Sequence, residues 1–276
     1  KAKHVVFIGL DGWGAYSLPK ADMPNVKKLM EDGSYTLKKR SALPSSSAIN
    51  WASMFMGAGP ELHGYTEWGS KTPELPSRVL NKNGIFPTVF QLLRDARPEA
   101  EIGCLYEWEG IKYLVDTLSL NYHYHVADCN KTPKELGNMA SAYIKEKHPA
   151  LVAICYDGPD HTGHTEGHDT PAYYEKLKEL DIYVGQIVQA VKDAGILDDT
   201  IFILTSDHGG IDKGHGGKTM QEMETAFIIS GKNIKKGLRF DDVSMMQYDV
   251  ASTIASIFNL EQPQVWIGRP MKIVFK

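Results

Sequence analysis

Three short apolar runs, each followed closely by aspartate, constrain this chain more than any other feature. They are His4–Leu10 (HVVFIGL), Leu151–Tyr156 (LVAICY) and Thr200–Thr205 (TIFILT). All three are rich in Val and Ile and apolar at consecutive positions, so both faces need cover. Strands of a parallel sheet held between helical layers read this way. Between them lie helical patterns, the clearest from about Pro171 to Ala194, where Tyr174, Leu177, Leu180, Val184, Ile187, Val188 and Val191 recur at three- and four-residue spacing. Thr170 suits its N-cap, Pro171 its first position and Gly195 the place just past its end.

Shorter helices are predicted at Pro24–Glu31, Ala48–Met56, Pro87–Arg94, Pro133–Lys147 and Val250–Phe258. Further strands are predicted at Ile102–Tyr106, Tyr122–Val126, Ala226–Ser230 and Lys272–Phe275. Strand–helix alternation along the whole length predicts a three-layer α/β sandwich with a mostly parallel central sheet. No internal repeat or low-complexity linker interrupts it, so residues 1–276 read as one domain.

The net charge of −4 and the lack of a long basic run argue against a nucleic-acid-binding surface. No run of 18 apolar residues is present, so no membrane span is predicted. The sequence sets no oligomeric state. Cys104, Cys129 and Cys155 show no CxxC spacing; Cys155 reads as a small core residue, and a Cys104–Cys129 bridge is the one pairing left open. The first residue is Lys1 rather than methionine, which leaves room for an upstream segment.

The acids after the strands carry the chemistry. Asp11 follows the first, Asp157 and Asp160 the second, and Asp207 the third. Ligands of open α/β sheets bind beyond the carboxyl ends of the strands. Carboxylates gathered there repel one another unless a positive charge lies between them. Five of the ten histidines fall in the same stretches: His161, His164, His168, His208 and His215. Asp160 and His164 are four residues apart, Asp207 and His208 are adjacent, and His215 sits in a Gly-rich turn (GHGG). A mixed carboxylate–imidazole set suits zinc or another first-row metal better than calcium or magnesium.

Ser45, Ser46 and Ser47 precede a predicted helix. Serine is favoured at such a start for capping alone, yet a hydroxyl at a helix N-terminus also lies where backbone N–H groups favour an anion. Asn50, one turn on, is placed to donate to the same anion. Spacing alone favours Ser47 over Ser45 and Ser46 without deciding the choice.

Taken together these pieces resemble the alkaline phosphatase superfamily, and within it the type I phosphodiesterase/nucleotide pyrophosphatase branch. VVFIGLDGWG is similar to the family's first strand and metal-binding aspartate, and MPNVKKLMEDG to its first helix. PSSSAINWASMFMGAGPELHG resembles the nucleophile segment, PDHTGH the Pro-Asp-x-x-Gly-His element, and SDHGG with GHGG the later metal-binding elements. LDIYVGQIVQAVKDAG and YDVASTIASIFNL also look like family helices. Nearly the whole chain is covered in matching order. The resemblance implies an alkaline-phosphatase-like fold and two divalent metal ions, with Zn2+ favoured. One would be held by Asp11, Ser47, Asp207 and His208, the other by Asp160, His164 and His215. It also implies Ser47 as nucleophile, from the register of Gly57, and Asn50 as a donor to a phosphoryl oxygen. Ile49 stands where the branch usually has proline, and serine where it often has threonine.

The implied activity is two-metal hydrolysis of a small phosphate ester, of phosphodiester or nucleotide pyrophosphate type, through a covalent phospho-Ser47 intermediate. Export to the periplasm or outside the cell is implied in the same way. A phosphomonoesterase on the same scaffold remains open, because the metal ligands are shared. A monoester dianion usually calls for an extra cation such as arginine, and the nearest arginines in sequence are Arg40 and Arg78. A sulfatase would need Pro at 49 and Arg at 51, where Ile49 and Trp51 stand. A non-catalytic metal-binding domain is disfavoured by the completeness of the site. Of the rest, His161 and His168 read as ligand-orienting or loop residues, Asp157 as shaping a strand end, Asp212 as a turn residue and Asp249 as the last helix's N-cap. Trp51, Tyr65, Trp68 and Trp108 read as core or as stacking surfaces for a leaving group.

Overall fold

The computed structural model describes residues 2–126 and 133–276. Eight strands form one sheet: β1 His4–Leu10, β2 Gly33–Arg40, β3 Ile102–Tyr106, β4 Tyr122–His125, β5 Leu151–Tyr156, β6 Thr200–Thr205, β7 Glu224–Gly231 and β8 Leu238–Arg239. Their order is β4-β3-β5-β1-β6-β7-β2-β8. β7 pairs antiparallel with both β6 and β2, and the other pairings are parallel, so β7 alone runs against its neighbours.

Alternation along the buried strands divides the core into two layers. Val5, Phe7, Ala153, Cys155, Ile201 and Ile203 face one side; Val6, Ile8, Ile154, Tyr156, Phe202 and Leu204 face the other. The first layer is closed by α2 (Ser47–Met56), α4 (Val89–Ala96) and α9 (Asp249–Ile257), the second by α1 (Pro24–Glu31), α5 (Pro133–Lys147) and α7 (Pro171–Asp193). This is the expected three-layer sandwich. α3 (Pro60–His63), α6 (Asp160–Glu166) and α8 (Met220–Met223) are short. α7 begins as its sequence predicts, with the Thr170 hydroxyl accepting from the Tyr173 N–H and Pro171 in the first position.

Three local expectations change. Lys272–Val274 forms a 3-10 turn, not a strand, because Val274 and Phe275 pack on the core edge and the only pairing there is one bridge, Ile234 to Phe275. β2 went unpredicted because its sequence, GSYTLKKR, is polar. Asp249 is the first residue of α9 instead of its cap; its carboxylate accepts from the N–H groups of Met246 and Arg269. Cys104 and Cys155 are buried free thiols, and Cys129 lies outside the described residues.

Candidate metal centre and nucleophile

β5, β1 and β6 are adjacent at the middle of the sheet, so their carboxyl ends deliver Asp160, Asp11 and Asp207 to one place. Two glycines permit the close approach. Gly9 leaves room for Trp51, whose ring a Cβ would meet at 2.3 Å, and Gly12, at φ +73, passes the Asp160 side chain where a Cβ would come within 2.5 Å. Asp160 N–H then donates to the Asp11 carbonyl, and Gly12 N–H to the Asp207 carboxylate.

The residues expected to bind metal fall into two sets. Asp11, Asp207 and His208 have ligand atoms within 4.8 Å of one another, as do Asp160, His164 and His215. In the first set His208 Nε2 lies 3.3 Å from Asp11 Oδ1 and 3.2 Å from Asp207 Oδ2. The Ser47 hydroxyl joins it, 3.2 Å from His208 Nε2 and 3.3 Å from Asp11 Oδ2. In the second set Asp160 Oδ2 lies 3.0 Å from His164 Nε2 and 3.5 Å from His215 Nε2. Helix α6 accounts for the first pairing, since residues four apart share a face. The stacked rings of His208 and His215, centroids 3.6 Å apart, join the two sets.

Three features fit a cation here. The first is tautomer: His164, His208 and His215 each place Nδ1 against a backbone carbonyl, of Lys213, Gly209 and Ser45 respectively. With a proton held there, each Nε2 is the ring nitrogen left to bind a cation, once it gives up any proton it shares with a neighbouring carboxylate. The second is charge. Burial, then repulsion from Asp160 and Asp157, pushes the Asp11 carboxyl well above its usual range. Burial and then Asp11 push Asp207 up to about 8. Two ionised carboxylates held this close in a buried site repel each other, and a cation between them removes that repulsion. The third is an orphan: Asp207 Oδ2 is buried without a hydrogen-bond donor. Burial also raises Asp160, but the imidazoles of His164, His168 and His215 close around it outweigh that and hold the carboxyl well below its usual range.

Asn50 is placed differently from its expected role. It is fully buried; its Nδ2 donates to the carbonyls of Ala42, Pro44 and Ser46, and its Oδ1 accepts from Ala42 N–H. Those bonds spend its amide on the loop that carries the serines, leaving nothing for a phosphoryl oxygen. Ala48 N–H is likewise donated to the Trp68 carbonyl.

The other serines separate cleanly from Ser47. The Ser45 hydroxyl donates to the Gly217 carbonyl, and Ser46 is the N-cap of α2 without a capping hydrogen bond. Trp51 is buried and donates its indole N–H to Asp11 Oδ2, a role its place in an apolar helix concealed. His168 is buried with Nε2 3.4 Å from Asp160 Oδ1, the oxygen turned away from His164 and His215. Tyr65 is core, whereas Trp68 is 67% exposed. Ser47, Trp68, Trp108, Asp157, His161 and His164 help to line a cavity of about 520 Å³ that opens over the site. Asp212 holds a left-handed turn at φ 51, and its carbonyl accepts from His168 N–H.

Comparison with known proteins agrees with this picture. The family model for type I phosphodiesterase/nucleotide pyrophosphatase matches residues 5–231. A mouse bis(5'-adenosyl)-triphosphatase, enpp4, is 26% identical over 219 residues, which is 75% of this chain and 47% of the relative. The chain thus spans about half the length of that relative. Murine ectonucleotide pyrophosphatase/phosphodiesterase 5, inactive and in complex with AMP, superposes with a TM-score of 0.75 at 14% identity, covering 95% of this chain and 96% of the other. A 2-O glycosaminoglycan sulfatase, BT1596, shares the fold with a TM-score of 0.79 at 14% identity, over 99% of this chain and 74% of its own. Fold and ligand sets together define an α/β protein of the alkaline phosphatase type with residues able to hold metal ions. The chain belongs to the type I phosphodiesterase/nucleotide pyrophosphatase family.

Proposed function

We propose that residues 1–276 form one catalytic domain that hydrolyses phosphodiesters, including nucleotide esters, with Ser47 as nucleophile. The observation that carries this reading is the Ser47 hydroxyl, on a residue that lines the cavity and within 3.4 Å of both Asp11 and His208. Two zinc ions, in the Asp11–Asp207–His208 and Asp160–His164–His215 sets, would supply charge neutralisation to the nucleophile and the phosphoryl group. The chain's own part is positional. Trp51 and the tautomer-fixed histidines orient the ligands, and the α2 N-terminus presents Ser47 towards phosphorus. Ser47 Oγ gives up its proton to solvent and forms the new P–O bond as the ester P–O bond breaks, and the departing alkoxide takes up a proton from solvent. Water then attacks phosphorus, the Ser47 Oγ–P bond breaks, Oγ regains a proton and the remaining phosphate ester is released.

The diester preference is supported by the cavity wall, where the described lining carries two indoles and no lysine or arginine. A diester has one charge fewer than a monoester and needs a surface for its second substituent, which Trp68 and Trp108 offer. The AMP held by the murine relative is in keeping with a nucleotide substituent. Export is proposed on the ectonucleotide relatives alone, and fractionation of cells producing the full protein tests it; among the described residues no helix is long and apolar enough to cross a membrane.

Steady-state kinetics with p-nitrophenyl phosphate and a p-nitrophenyl nucleotide diester test the main reading. The diester is expected to have the higher kcat/KM, and a hundredfold preference for the monoester would overturn the diester assignment. Ser47→Ala is expected to lower kcat by about 10³-fold or more while metal content persists. Ser45→Ala and Ser46→Ala should cost far less; an inactive Ser46→Ala enzyme would move the nucleophile.

A further inference from the structure

Behind the metal centre lies a buried polar cluster that neither ligand set uses. Lys39, on β2, and Gln247, in the segment before α9, are both fully buried. The Lys39 ammonium donates to the Ser206 carbonyl at 2.8 Å and, over a short contact, to Gln247 Oε1. Gln247 Nε2 donates to the Asp207 carbonyl at 2.6 Å and to Asn50 Oδ1 at 3.3 Å. Asn50 in turn grips the carbonyls of Ala42, Pro44 and Ser46. The Asp207 carbonyl can only accept, so it fixes Nε2 as the end of the Gln247 amide that faces it, and Oε1 is left to accept from the Lys39 ammonium. One side chain therefore ties the segment carrying Asp207 and His208 to the loop that ends at Ser47.

We propose that Gln247, oriented by Lys39, is a positioning residue that holds Ser47 in register with Asp207 and His208. This rests on the reading of Ser47 as nucleophile. A displacement of about 1 Å between nucleophile and reacting centre can cost about 100-fold in rate, and a fully satisfied buried network is stiff enough to prevent it. The Ser41 hydroxyl also donates to the Asp207 carbonyl, at 2.7 Å, and so holds the start of the same loop, whereas Gln247 adds the link to Asn50. The expected signature is a loss of turnover without loss of substrate binding, because neither residue lines the cavity.

The test is Gln247→Met in the zinc-loaded full chain, which removes both donors and keeps most of the volume. Three quantities are read: kcat per phosphorylatable site, counted from the pre-steady-state burst; KM; and the visible absorption bands of the Co2+-substituted protein. We expect kcat per site to fall about 10- to 100-fold, as for other residues that orient ligands, with KM within about twofold and the cobalt bands shifted. A variant with the wild-type kcat per site and wild-type bands overturns the proposal, even if it melts earlier. Should Gln247→Met fail to fold, Gln247→Glu keeps an oxygen facing Lys39, whose ammonium answers the added charge, and replaces both donors by an acceptor. The same losses are expected of it, and a wild-type kcat per site again overturns the proposal. Wild-type protein that never phosphorylates Ser47 removes the underlying reading and this proposal with it; wild-type turnover beside an unaffected Gln247→Met removes this proposal alone.

Discussion

The two ligand sets are built on opposite plans. Asp11, Asp207 and His208 follow the ends of β1 and β6 and are 2%, 0% and 0% exposed. Asp160, His164 and His215 sit on the short helix α6 and a glycine-rich loop, and the His164 side chain is 47% exposed. The first set suffers from its burial: both carboxyls are pushed up, Asp207 to about 8. In the second, the charge of Asp160 is already answered by imidazoles, and hydrogen bonding to Asp160 raises His164 to about 9. A site among strand ends gains rigidity but needs a cation to become chemically competent. A site on a helix and loop keeps its charge in balance without one and stays open to exchange.

Removing a ligand from each set breaks the comparison most directly. Asp207→Ala is expected to abolish one metal site and lower kcat by about 10³-fold or more, beyond recovery with added zinc. His164→Ala should cost about 10- to 100-fold and recover in part as zinc is raised, since the open set can refill. Elemental analysis and zinc titrations of activity read both. Full activity and unchanged metal content in Asp207→Ala would sink the assignment of that set.

A smaller effect concerns pH and the metal-free protein. Asp207 binds its proton more tightly folded than unfolded, so its stabilising contribution is complete below pH 4 and is lost as pH rises through about 8. His164, raised to about 9, loses its contribution on the same side, above pH 6.5. Lys39, which burial lowers to about 7, acts with the opposite sign above that pH. The melting temperature in chelator should therefore fall between pH 6.5 and 8, and Asp207→Asn should flatten the slope. Zinc should reverse it, because metal binding selects the deprotonated ligands. A metal-free melting curve that rises with pH across that range and is unaltered by Asp207→Asn would contradict the charge imbalance of the buried set.

The smallest effect belongs to the cavity wall on the open side. Trp68→Ala is expected to raise KM for a nucleotide diester several-fold with kcat nearly unchanged, as for loss of uniform binding. An unchanged KM would return Trp68 to the role of an ordinary exposed indole.

Much of this was legible in the sequence, and unevenly so. The buried strands showed themselves because two-sided burial demands unbroken apolar runs; β1, β5 and β6 match their expected limits. β2 hid because Lys39, a residue normally solvated, is buried within it. The residues that could hold metal were readable as residue types following β1, β5 and β6. Spacing places Asn50 one turn from Ser47 but does not show that its amide is engaged by the loop at Ala42–Ser46, which folds back over it. Gln247 left no signal: a lone glutamine 197 residues from Asn50 is connected to it only by the fold.

The grip of His215 on the serine loop has a kinetic consequence. Ser45 accepts from His215 through its carbonyl and from Gly216 through its hydroxyl, which in turn donates to the Gly217 carbonyl. The loop of the open ligand set and the loop leading to the nucleophile are therefore laced together by three hydrogen bonds. Neither can open alone, so they form one cooperative unit in local unfolding. Release of an ion from the exposed side would then loosen Ser47 in the same event, and the backbone amides of both loops should gain protection from hydrogen exchange together as that ion returns.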